Sequence, residues 1–144
     1  MSFFLGRGET VMREQTGVHY HGGYSRIGSY MLGKLILTNK RFIFLQQQTV
    51  KSGGLFGFGK KSEVQTVGVK INLPVENVLG ATVETRSRKK GTLNEPPSLF
   101  NKEQYQILMV SLETQSGMEN PIFEVYNAQD WVTAIQRSVG GEAV

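Results

Sequence analysis

The alternation of apolar and polar positions is clearest in "LGKLILTNKRFIFLQQQ", residues 32–48. Leu35 and Leu37 fall on one face of a strand, Phe42 and Phe44 on one face of the next, and Ile36, Ile43 and Leu45 on the opposite faces. The polar "TNK" between the two runs predicts a β-hairpin. Period-two segments recur in "TVMREQTGVHY", "QTVGVKINL", "VLGATVETR", "QYQILMVSLET" and "NPIFEVY". The last two pair across "QSGMEN", where Ser116-Gly117 is turn chemistry. The expectation is about seven strands between residues 10 and 126, and no intervening segment has the period of a crossover helix. An antiparallel sheet or barrel is therefore favoured over a βαβ arrangement.

The period changes at the C-terminal end. In "NAQDWVTAIQRSVGG", Ala128, Trp131, Val132, Ile135 and Val139 recur at helical spacing. Asn127 is an N-cap residue type, Asp130 lies in the first turn, and Gly140-Gly141 is a stop signal. A closing helix over about 128–139 is predicted, its apolar stripe facing the sheet. Two loops remain, 49–63 and 87–103, both long for a compact domain.

Composition narrows the function. The 144 residues fit one domain, 1–144, with a core that needs no staples. There is no cysteine, so disulfide and thiolate chemistry are excluded. No apolar run reaches a membrane span, and the N-terminus lacks a secretory h-region; a cytoplasmic protein, peripheral on a membrane at most, is expected. Net charge +4 conceals a division: residues 1–90 hold 14 basic and 5 acidic residues, and residues 91–144 hold 2 and 7. A positive end of this kind suits an anionic partner.

The segment "SGGLFGFGKKS", 52–62, approximates a phosphate-binding loop in the spacing of Gly54, Gly59 and Lys60. That loop requires Ser or Thr after the lysine and a helix following, whereas Lys61 and a strand pattern follow here. No nucleotide cofactor is expected. His19 and His21 share a strand face, but no third ligand type accompanies them, so no metal site is predicted. No nucleophile stands beside a base, so no catalytic residue is assigned. "RSRKK", 86–90, would contact phosphates, yet the aromatic residues alternate as buried ones do, and nucleic acid is disfavoured.

Three segments resemble the pleckstrin-homology-like superfamily, in particular GRAM-type and bacterial PH-type domains. "GKLILTNKRFIF" (Gly33–Phe44) is similar to the family's glycine-x-leucine-x-leucine-threonine-x-x-arginine hairpin. "INLPVENVLGATVE" resembles its isoleucine-proline-leucine segment with Leu73-Pro74 reversed, and "FEVYNAQDWVTAI" its last strand and closing helix. The resemblance implies a mainly β fold: a split barrel of about seven antiparallel strands capped by one C-terminal α-helix, acting without catalysis as a binding module. The first hairpin loop holds only Arg26 and Lys34, fewer than inositol-phosphate recognition uses.

The expected contact surface is the 49–63 loop. Leu55, Phe56 and Phe58 are apolar residues among glycines, flanked by Lys51, Lys60 and Lys61. This composition suits an anionic membrane surface. The competing reading gives the same side chains to a protein partner, a homo-oligomer or the protein's own barrel. Arg26, Arg86, Arg88, Lys89 and Lys90 form a second candidate set, a basic patch. Plain up-and-down alternation places the loops at 21–30, 49–65 and 87–103 at one end; a corner between sheets would separate the third.

Overall fold

A computed structural model describes residues 5–52, 61–89 and 102–140. Among these, eight strands form one antiparallel sheet closed over by a single helix. The strands are β1 (Val11–Tyr20), β2 (Met31–Thr38), β3 (Arg41–Ser52), β4 (Lys61–Pro74), β5 (Val78–Lys89), β6 (Lys102–Thr114), β7 (Gly117–Glu119) and β8 (Ile122–Val125); helix α1 spans Ala128–Val139. Their order is β4-β3-β2-β1-β8-β6-β5, with β7 paired to β6 beside this path. The edge strands β4 and β5 are joined through a 3-10 turn at Val75–Asn77, not through a ladder.

The predicted hairpin is β2–β3, with Leu35 opposite Phe44 and Leu37 opposite Phe42. These four side chains enter the main core, while Ile36, Ile43 and Leu45 form a separate buried cluster on the other face. The main core also takes Leu108, Val110 and Leu112 from β6 and Trp131, Val132 and Ile135 from α1, so the sheet folds around its own apolar face. Phe123 sits centrally, its ring 5.2 Å from Phe44, 5.9 Å from Tyr20 and 6.0 Å from Phe42.

The residues carrying the family resemblance have structural duties. A Cβ on Gly33 would lie 2.3 Å from the Leu45 carbonyl oxygen and 2.5 Å from the Phe44 ring, so only glycine lets β2 and β3 close at that point. The Thr38 hydroxyl accepts the N–H groups of Lys40 and Arg41 at 3.1 and 2.8 Å, fixing the turn. It donates to Glu9 Oε2 at 2.6 Å. Arg41 sends Nε to Glu9 Oε2 (2.8 Å) and its terminal nitrogen to Oε1 (2.7 Å). Gly6 N–H also donates to Oε1, at 2.7 Å. Glu9 is 7% exposed, and Arg41, through its hydrogen bonds, outweighs the upward push of burial and holds the carboxyl at about 2.

Several expectations need correction. Strands β3 to β6 run further than the hydrophobic pattern, so residues 49–52 and 61–63 belong to a ladder, as do 87–89 and 102–103. A two-stranded ladder is held by backbone pairing and needs no apolar alternation to form. β7 forms inside the expected "QSGMEN" turn. Val139 is 45% exposed; Ser138 turns inward instead, its hydroxyl donating to the Thr38 carbonyl at 2.8 Å. Asn127 does precede the helix, but in the left-handed conformation with no side-chain cap bond. Gln106 Oε1 accepts the Ala128 N–H at 2.7 Å in its place.

Candidate functional site

The β3–β4 ribbon continues for seven pairs beyond the last buried one, from Gln46↔Gly68 to Ser52↔Lys61. At the strand rise this is roughly 20 Å of hairpin. Gln48, Val64, Gln65 and Val67 are all exposed, so at these positions both faces of the ribbon meet solvent. Lys51 and Lys61 stand in its final pairs, Lys51↔Ser62 and Ser52↔Lys61. Leu55, Phe56, Phe58 and Lys60 lie outside the described residues, as does Lys90.

The second candidate set is dispersed. Arg26 is exposed on the β1–β2 loop. That loop is held from below: the Tyr20 hydroxyl accepts the Tyr24 N–H at 2.7 Å, and the Ser25 N–H donates to Glu119 Oε1 at 2.7 Å. Arg86 meets Glu84 at 3.2 Å. Lys89 ends β5 opposite Lys102. Because β6 runs in the same direction as β1, Lys102 begins at the end of the sheet where β1 begins. Tyr20 and Ser52 finish at the other end. Two of the three loops expected together therefore share an end, and the third departs from the opposite one.

Arg88 belongs to a cluster with no local signal in the sequence. Its terminal nitrogens reach both oxygens of Glu124 at 3.2 and 2.7 Å, and Nε reaches Glu103 at 3.4 Å. The guanidinium stacks 4.3 Å from the centre of the Tyr105 ring. His21 Nε2 lies 3.1 Å from Glu124 Oε1, and His19 Nδ1 bonds the Tyr30 hydroxyl. Burial pushes the Glu124 carboxyl up, but hydrogen bonds from Arg88 and His21 prevail and hold it below the usual range. The shared face of His19 and His21 was legible; their partner on β8, more than a hundred residues away, was not. Among the described residues no group of three or more His, Cys, Asp or Glu could hold a metal ion.

Below this cluster lies a cleft of about 420 Å³, lined by Gln15, Gly17 and His19 of β1, Glu103–Gln106 of β6 and Val125–Asn127. A second groove of about 720 Å³ separates the start of β1 from α1, with Arg13 3.9 Å from Asp130 across it. Among the described residues no helix is long and apolar enough to cross a membrane.

No family model and no curated protein matches this chain. Among solved structures, the crystal structure of the DH/PH domains of p115-RhoGEF is similar with a TM-score of 0.46 and 10% identity. The match covers 92% of this chain and 31% of that one, so the chain spans about a third of its length. A likeness at that score supports no functional argument.

Proposed function

We propose that the protein is a non-enzymatic, pleckstrin-homology-like binding module that docks peripherally on anionic membrane through the β3–β4 ribbon. The observation that carries this reading is the ribbon itself: a hairpin exposed on both faces at Gln48, Val64, Gln65 and Val67, leading into "GGLFGFGK" with Lys51 and Lys61 in its last pairs. Strand order and closing helix accord with a pleckstrin-homology-like split barrel. Arg86 and Arg88 already answer carboxylates, and Lys51, Lys60 and Lys61, in and beside the ribbon tip, are the charges proposed to meet headgroups.

Full burial of a large apolar side chain yields roughly 1.5–3 kcal/mol, and each basic residue near an anionic leaflet adds about 1 kcal/mol. Partial insertion of Leu55, Phe56 and Phe58 with three lysines grosses ~5–8 kcal/mol. Ordering and association entropy remove several of these. One copy binds weakly, and firm attachment needs a second copy or anchor.

A second reading has its own observation. Val64 and Val67 are 57% and 48% exposed on the ribbon, and an isolated two-stranded ribbon is marginal in water. A protein partner or another copy would cover them. Co-sedimentation with phosphatidylcholine vesicles, with and without phosphatidylserine, separates the two. Wild type is expected to pellet only with phosphatidylserine and to be released by salt. Phe56→Ser/Phe58→Ser is expected to lose at least about tenfold in partition while staying folded. Wild type remaining in the supernatant at low salt would sink the membrane reading and leave the protein partner.

A further inference from the structure

The cleft beside β8 is a place where the sheet lacks part of a strand. β8 has four residues; it pairs with β1 only at His19 and Tyr20, and with β6 only from Gln106 to Met109. Both neighbours continue past it. Glu103–Tyr105 of β6 pair with Arg86–Arg88 on one side, and among the described residues no strand lies on their other side. Gln15 and Val18 of β1 pair with β2, with a register shift between them that leaves Thr16 and Gly17 bulged; Gly17 has φ +67°.

After β8 the chain does not continue through this space but turns away. Tyr126 N–H is taken by Gln15 Oε1 at 3.0 Å, Asn127 adopts φ 52°, and α1 starts at Ala128. What remains is a slot one strand wide, roughly 10 Å between β1 and β6. It is bounded above by Val125 and below by the first turn of α1, and among the described residues its backbone edges have no strand partner facing the slot. Such edges are templates for an added strand.

Side chains around the slot indicate what enters. Arg88 is held by Glu124 and Glu103, so its charge is answered. Glu103 is 53% exposed and touches Arg88 only at 3.4 Å. Two carboxylates against one arginine leave one carboxylate in excess at the rim. Tyr126, 77% exposed, offers a ring at the mouth. The geometry points to a short extended peptide segment of a partner, three or four residues long and carrying a lysine or arginine, that inserts between β1 and β6 as a continuation of β8. Its main chain pairs with the free edges and its cation meets Glu103. This surface is separate from the β3–β4 ribbon and does not depend on the membrane reading.

The test uses the full chain and the peptide acetyl-Val-Lys-Val-amide, followed by backbone amide chemical shifts. Saturable shifts are expected at Gly17, Gln104 and Tyr105. Affinity should fall at least about tenfold for Glu103→Lys, whose exposed position leaves the fold intact. It should fall similarly for a peptide N-methylated at the lysine, which cannot complete the ladder. Acetyl-Val-Glu-Val-amide should bind more weakly than the lysine peptide. The proposal is overturned by absence of saturable shifts at these amides, by equal binding of the glutamate peptide, or by equal binding of the N-methylated one.

Discussion

Arg41→Ala is expected to lower stability by about 3 kcal/mol at neutral pH, read as a lower urea midpoint with an unchanged slope. The reason is what the arginine leaves behind. The Glu9 carboxylate, its side chain only 2% exposed, would keep its hydrogen bonds from the Thr38 hydroxyl and the Gly6 N–H but lose its counter-charge. A buried charge without its partner is among the most destabilising outcomes of a single substitution. Glu9→Gln should cost less, because it leaves no buried carboxylate without a counter-charge and its single amide oxygen still accepts from one of Thr38 and Gly6.

The same pair sets an acid limit. The Glu9 carboxyl is held at about 2 against an ordinary value of 4.5. Its folded value is depressed, so its stabilisation is complete above about 4.5 and is lost as pH falls from there toward about 2. The shift corresponds to about 3 kcal/mol. Wild type should therefore lose stability steeply between these values, and Arg41→Ala should flatten that slope. A variant as stable as wild type at neutral pH, with the same acid profile, would show that the pair does not hold the N-terminal segment to the hairpin.

Trp131→Ala carries the largest expected loss, about 4 kcal/mol, because a fully buried ring is removed from the main core where α1 meets the sheet. Trp131→Phe is a sharper probe. Trp131 Nε1 is buried and has no hydrogen-bond partner among the described residues, and Arg13 stands 5.5 Å over the ring. Replacing the indole with a phenyl ring loses volume and also removes an unsatisfied donor, whose burial costs about 1–3 kcal/mol. The two effects oppose, and Trp131→Phe should unfold within about 1 kcal/mol of wild type. A loss as large as that of alanine would mean that the indole nitrogen is engaged.

The sequence was informative where burial imposes a period. Leu35, Leu37, Phe42 and Phe44 enter the core as their alternation predicts, and α1 occupies the expected residues. The outer pairs of β3–β4 and β5–β6 carry no apolar alternation, so their sequence resembles loop although they pair in ladders. Contacts between distant positions left no local trace. Glu9 is an isolated acid near the N-terminus, 32 residues from Arg41, and Gln106 is an ordinary strand glutamine until folding places it over Ala128. The slot beside β8 follows from the early turn at Asn127, which sequence reads simply as the start of a helix. The candidate contact residues were named from composition, and of these the ribbon supplies the described positions, Lys51 and Lys61.

The central claim is that the end of the β3–β4 ribbon enters lipid. Because the chain has no cysteine, Phe56→Cys gives a unique attachment point for an environment-sensitive fluorophore. Ser116→Cys, exposed at the β6–β7 turn, gives a control. With phosphatidylserine-containing vesicles, the label at 56 should shift to the blue and brighten while the label at 116 stays unchanged. An unshifted label at 56 on protein that still pellets with the vesicles would contradict the account, as would the same blue shift arising without vesicles as protein concentration rises.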